Sequence, residues 1–328
     1  MENNSKSVNT PAKMGKRILS AIVILLVLTT FMVLRQIGET TIFLFDILVG
    51  FFMIVGTFEF DGILRKMDKP AYTVGLGLYP VFCFILLILA VLYEISFVYY
   101  LLMNIGALVL TFIVVFLIGI LTKKTSMKQK YYDDFEGSRF GYVAYKSANT
   151  ILGCLYPTFL LSFMFLINHF AVLSGTTFSA DIGFLGLVLL LTTTIFADTC
   201  AMFCGRLIKS KKINLKKLGP GKSWSGFIGG VLGGVLGAFV VYIVCANFGY
   251  GAFFTEFGVT FVTFLIAGFV CGLFNMMGDM LASFLKRRAG VKDFGDFIPG
   301  HGGIMDRING LVVNCVVVFM FLVIIFLA

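Results

Sequence analysis

Apolar residues recur along this chain in long unbroken blocks rather than at the spacing of a half-buried surface helix. Nine blocks approach the roughly 20 residues that a helix needs to cross a bilayer. They fall near 18–34, 40–60, 72–93, 97–121, 150–173, 182–201, 225–247, 257–281 and 310–328. The polar intervals between alternate blocks are basic. Lys6, Lys13, Lys16 and Arg17 precede the first block, and Arg65, Lys66 and Lys69 follow the second. Lys123, Lys124, Lys128, Lys130, Arg139 and Lys146 follow the fourth, Arg206 to Lys222 the sixth, and residues 283–309 the eighth. With an odd number of spans these intervals share one face, and the bias of basic loops makes that face the cytoplasm. Of 26 Lys and Arg, Arg35 alone is expected on the other side.

Composition points the same way: 59% of the 328 residues are hydrophobic and 13% charged, the profile of an all-α polytopic integral membrane protein. The first block has no small-residue cleavage site behind it and is expected to remain as a span. Residues 1–17 read as a disordered basic cytoplasmic tail, 18–149 as an N-terminal transmembrane region, and 150–328 as a C-terminal transmembrane domain that carries the chemistry. The net charge of +9 is one-sided, which serves topology and also attracts anionic lipid or nucleotide. No base-stacking platform accompanies the cations, so a nucleic-acid partner is not expected. The seven cysteines lie almost entirely within apolar blocks; Cys200 and Cys204 are one turn apart without a histidine, and buried small hydrophobes are expected rather than a metal site or disulfide.

The densest polar stretch is SFLKRRAGVKDFGDFIPGHGGIMDRIN, residues 283–309. It holds Lys286, Arg287, Arg288, Lys292 and Arg307, three carboxylates (Asp293, Asp296, Asp306) and His301. Its glycines permit tight turns, and Pro299 sets a bend ahead of His301-Gly302-Gly303. Consecutive glycine amides form anion-binding concavities, and arginines offer forked donors to phosphate. Hard carboxylates among such cations point to magnesium, held through one or two carboxylates plus substrate phosphates. A basic loop touching lipid headgroups accounts for the cations but leaves the aspartates and the HGG turn unexplained.

Other segments bear on the chemistry. Asp198 sits in an apolar helix, either a functional intramembrane acid or a carboxylate within snorkelling reach of the boundary. Asn275, Asp279, Ser283 and Lys286 share one side of the eighth helix. GPGKSW around Lys222 lacks the earlier glycine and the strand of a P-loop. Asp61-Gly62 and Arg65 lack the paired aspartates of a CDP-alcohol phosphotransferase motif, and Glu59 and Asp61 are expected to be solvated. Asp133, Asp134 and Glu136 read as a hydrated loop, and His169 as an interfacial side chain. Gly229, Gly230, Gly233, Gly234 and Gly237 offer small faces for close helix packing.

Ser283-x-x-Lys286-Arg287, Lys292-Asp293 and Pro299-Gly300-His301-Gly302-Gly303-x-x-Asp306-Arg307 together resemble the signature of the phosphatidate cytidylyltransferase (CDP-diacylglycerol synthase) family. Lys222, Ser223 and Gly226 resemble a degenerate form of that family's second block, S-P-K-K-T-x-E-G; Asp198 matches the aspartate before it, and Asp279 the one upstream of the signature. The chain departs from the pattern at Asn309 and Ser225, where the family has acids, and at Ala282, where many members have Glu. The resemblance implies transfer of CMP from CTP to phosphatidate, with pyrophosphate released, in phospholipid biosynthesis at the cytoplasmic face of the cell membrane. It implies that Asp279 and Asp306 hold magnesium, with Asp293 and Asp198 as nearby acids. Lys222, Lys286, Arg287, Lys292 and Arg307 would hold phosphates, Ser223 and Ser283 would contact substrate, and His301, Gly302 and Gly303 would shape the nucleotide turn. A potassium ion beside the magnesium and a homodimer stay open. So do a related CTP-dependent lipid kinase and a transporter, although polar residues crowded at one end of the chain count against the latter.

Overall fold

The computed structural model describes residues 11–38, 40–122, 138–178, 181–211, 213, 222–299 and 302–327, and the side chains of the first helix from Leu19, Ala21 excepted. These residues form an all-helical bundle: α1 (Pro11–Arg35), α2 (Ile42–Lys66), α3 (Thr73–Leu92), α4 (Phe97–Leu121), α5 (Arg139–Gly153), α6 (Leu160–Asn168), α7 (Phe170–Ser174), α8 (Ile182–Leu207), α9 (Trp224–Cys245), α10 (Gly251–Glu256), α11 (Phe261–Arg288) and α12 (Met305–Phe326). A short π-helical turn, Cys154–Phe159, joins α5 to α6, and a kink at Phe248 and Gly249 separates α9 from α10. Among the described residues eight helices are long and apolar enough to cross a membrane, and α1 adds a shorter apolar stretch, Ile22–Arg35. The chain is a multi-pass membrane protein.

Three boundaries differ from the hydropathy reading. Helix α1 starts at Pro11, so residues 11–17 of the expected tail continue the first helix; proline's fixed φ suits a first helical position. Residues 1–10 and the acidic segment 133–136 lie outside the described residues. The fifth span begins at Arg139 rather than 150 and runs to Asn168. Its first turns are polar, and hydropathy misses them because their polar groups are satisfied by neighbours. Arg139 donates to the carbonyls of Ile120 (2.8 Å) and Thr122 (2.7 Å) at the end of α4, and the Lys146 ammonium lies 4.2 Å from the centre of the Tyr72 ring. Finally, α11 extends to Arg288 and α12 begins at Met305, so Ser283, Lys286, Asp306 and Arg307 all sit on helices flanking a loop of 289–304.

The C-terminal helices pack closely through glycine. A Cβ at Gly233 or Gly237 would meet the backbone of α8 at Phe196 and Thr192, and one at Gly234 would meet Gly268 and Gly272 of α11. Helix α9 is thus wedged between α8 and α11 with backbones in contact on both sides, as the small-residue spacing predicts. The expected burial of cysteine holds for Cys83, Cys154, Cys245, Cys271 and Cys315; Cys200 and Cys204 are half-buried, and all seven are free.

Candidate active site

Four segments deliver polar groups to one cavity of about 890 Å³: α8, the start of α9, α11 and the first turns of α12. Asp198, Lys222, Ser223, Asp279, Asp306, Arg307 and Asn309 line it, with an apolar wall that includes Leu25 and Leu28 of α1 and Ile195 and Met202 of α8. The stretch 283–309 therefore does not form the site alone. The tertiary fold brings Lys222 beside Asp279 across 57 residues of chain, and the two form an ion pair.

Each carboxylate has a defined partner. Asp198 is open to the cavity, and its Oδ1 accepts from Asn275 Nδ2 at 2.7 Å. Asp279 pairs with Lys222 and also accepts from Asn309 Nδ2 at 3.3 Å. Asp306 is almost covered, its side chain 3% exposed; Oδ1 accepts from Lys286 Nζ at 2.6 Å, and Oδ2 from the backbone N–H of Phe294 (2.7 Å) and Gly303 (3.1 Å). Burial pushes the Lys222 ammonium down, to about 8, against the pull of the Asp198 carboxylate and with a further push from Lys286.

Charge balance bears on the expected magnesium. Asp279 and Asp306 are each matched to a lysine, a point charge on a flexible stem. A hard cation suits the same oxygens, and Asp198 adds a third carboxylate on the cavity wall. Among the described residues no three His, Cys, Asp or Glu side chains converge as a ready-made cage. Magnesium is commonly held through one or two carboxylates, with substrate phosphates completing its shell. Two amides occupy Oδ2 of Asp306, and Oδ1 would meet a cation only in place of the Lys286 ammonium.

Of the HGG turn, Gly302 and Gly303 are among the described residues. Gly302 has φ of +86°, which favours glycine, and Ile298 N–H donates to its carbonyl at 2.7 Å. The anions its neighbouring amides receive are the protein's own: Gly303 N–H serves Asp306, while Ile304 and Met305 N–H donate to the two oxygens of Glu59 at 3.0 and 2.8 Å. A Cβ on Gly303 would collide with the Glu59 carboxylate. Gly300 and His301 lie outside the described residues, as does most of the segment before Lys222.

Glu59 is the residue that the sequence reading missed. It was expected to be solvated, yet it caps the start of α12 from α2, where a negative charge meets the positive helix end. Phe60, next to it, stacks on buried Phe294 with ring centres 6.4 Å apart, tying the signature loop to the N-terminal region. The available signal was an acid flanked by aromatic residues in an apolar helix. Asp61, also expected in water, is 4% exposed and paired with Arg65 at 2.7 Å. His169 is buried rather than interfacial and meets Asp46 Oδ2 at 2.6 Å.

The remaining candidates divide. Ser223 caps α9 through Gly226 N–H at 3.1 Å while lining the cavity. Asp293 is exposed, and a Cβ on Gly302 would meet its side chain. Arg287 and Lys292 are exposed and do not line the cavity, and Ser283 is half-buried on α11 outside it. Ser225, where an acid was expected from the resemblance, instead donates to Ile208 O at 3.0 Å and bonds Ser210, fastening the two ends of the basic segment.

A profile described as the cytidylyltransferase family matches residues 15–325 of the chain. A phosphatidate cytidylyltransferase of Haemophilus influenzae is 37% identical over 129 residues, covering 38% of this chain and 42% of the relative. One from Thermotoga maritima is 33% identical over 160 residues, 49% of this chain and 53% of the relative. An uncharacterized Escherichia coli K12 protein, YnbB, is 32% identical over 160 residues, 48% and 50% of the two chains. The chain thus spans about half the length of the curated relatives it matches.

Proposed function

The chain belongs to the cytidylyltransferase family, and from that premise we propose that it transfers CMP from CTP to phosphatidate, giving CDP-diacylglycerol and pyrophosphate. The observation that carries this reading is the meeting of Asp198, Lys222, Asp279, Asp306 and Arg307 in one cavity whose other wall is apolar. Two anions must be brought together there, one of them carrying hydrocarbon.

A phosphate oxygen of the lipid attacks the α-phosphorus of CTP in line; the new P–O bond forms as the bond to pyrophosphate breaks. The monoester is already anionic at neutral pH, so no general base is needed. Lys222 and Arg307 neutralise the phosphates from the cavity wall, and Lys286 acts from behind Asp306. Asp279 and Asp306 would hold magnesium, which would supply charge neutralisation to the departing pyrophosphate, with Asp198 elsewhere on the same cavity wall. Glu59 and the amides of Phe294 and Gly303 hold the loop rigid, so that Asp306 and Arg307 enter the cavity in one orientation. The basic helix ends face the cytoplasm, where CTP is found.

Purified protein incubated in detergent with phosphatidate and each nucleoside triphosphate tests the reading. Pyrophosphate release that requires CTP, phosphatidate and magnesium supports it. CDP release in a parallel incubation with diacylglycerol, which offers a hydroxyl acceptor, instead indicates a lipid kinase, and no turnover of phosphatidate rejects the reading.

A further inference from the structure

An apolar groove of about 310 Å³ runs between α1 and α8, away from the polar cavity. Leu25, Leu28 and Ile195 line both, so the two spaces adjoin. Nearly all of the groove wall is hydrocarbon, from Met32 on α1 and Val188 and Leu191 on α8 among others.

Depth gives the groove a meaning. Arg206 marks the basic end of α8, and Asp198 lies eight residues further in, about 12 Å at the helical rise of 1.5 Å per residue. A lipid phosphate held by Lys222 and Arg307 at the level of Asp198 on the same cavity wall leaves the ordinary headgroup level by that distance. Its acyl chains must then overshoot the mid-plane by as much, into space that the opposite leaflet would otherwise fill. From Ile195 the groove continues along α8 to Phe184, eleven residues or about 16 Å, close to half of a hydrocarbon core about 30 Å thick. At its far end lies Gln36, which donates at 3.3 Å to the Asp181 carboxylate that Arg35 also bridges at 2.5 Å.

We propose that the α1/α8 groove binds one acyl chain of the lipid substrate. The proposal rests on the lipid-phosphate reading of the cavity, and the test separates the two. Wild type, Val188→Trp and Thr192→Trp are assayed for pyrophosphate release with dioctanoyl and dipalmitoyl phosphatidate at saturating CTP. Each tryptophan is expected to lower the ratio of kcat/KM for the long lipid over the short one by about tenfold or more, the scale on which apolar pockets discriminate. Thr192, one turn nearer the cavity, should have the larger effect. Should a tryptophan variant fail to fold, Val188→Ala carries the test and is expected to raise the ratio. A wild type inactive on both lipids would reject the lipid-phosphate reading itself. A wild type active on both, with the ratio unchanged in the variants, would mean that only bulk bilayer lipid fills the groove and would overturn the proposal.

Discussion

The carboxylate of Glu59, in the second helix, accepts the backbone N–H of Met305 at 2.8 Å, 246 residues further along the chain. Its other oxygen takes Ile304 N–H. One side chain thus satisfies two of the orphan donors at the start of α12, next to Asp306. Charged hydrogen bonds of this kind contribute about 1.5–3 kcal/mol each. Glu59→Ala is expected to lower kcat by about tenfold to a hundredfold through loss of loop alignment. Glu59→Gln, which keeps one acceptor, should fall between. Steady-state pyrophosphate release measures both, and wild-type kcat in the alanine variant would show that the cap does not govern the site.

Asp279 and Asp306 are expected to act as one unit. Asp279→Asn and Asp306→Asn are near-isosteric, and each should abolish most turnover, with the double variant little worse than either. EDTA should do the same to the wild type. Losses that multiply, or activity that persists in EDTA, would mean that the two aspartates share no ion.

Lys222 gives the site a basic limb. Its ammonium, pushed down to about 8, is charged below that pH and neutral above it. Phosphate binding should therefore be intact at pH 7 and weaken as pH rises through about 8, seen as a climbing KM. Lys222→Arg stays charged throughout and should flatten this limb. A KM in the arginine variant that climbs over the same pH range would assign the limb to another group.

Asn309 donates its amide to Asp279 at 3.3 Å. Asn309→Asp replaces that donor with a second negative charge and should lower the magnesium concentration needed for half-maximal activity. A magnesium titration decides it; an unchanged midpoint would place position 309 outside the metal's influence.

Topology follows from the exposed Lys292 in the loop after α11. In a cysteine-free background, Lys292→Cys should react with an impermeant thiol reagent only from the cytoplasmic side. Labelling from outside alone would invert the protein and separate its site from CTP.

Sequence alone determined the all-helical membrane class, most spans to within a few residues, and the polar side of α11. Those follow from local physics: backbone groups in hydrocarbon must bond within the helix, and a 3.6-residue period decides which side chains share a face. It also carried the identity of the residues around Asp306, because the signature is contiguous. Three matters were left to the tertiary structure. The pairing of Lys222 with Asp279 depends on α9 packing against α8 and α11, an approach that only backbone contact at Gly233 and Gly234 permits. The link of Arg35 to Asp181 and the buried one of His169 to Asp46 join helices whose sequences show only isolated polar residues. Glu59 looked like a solvated acid near a helix end because nothing in its own segment reveals that the start of α12 lies against it. A charge in an apolar helix is tolerated only when a partner meets it, and the partner's place in space is not written in the charge's own neighbourhood.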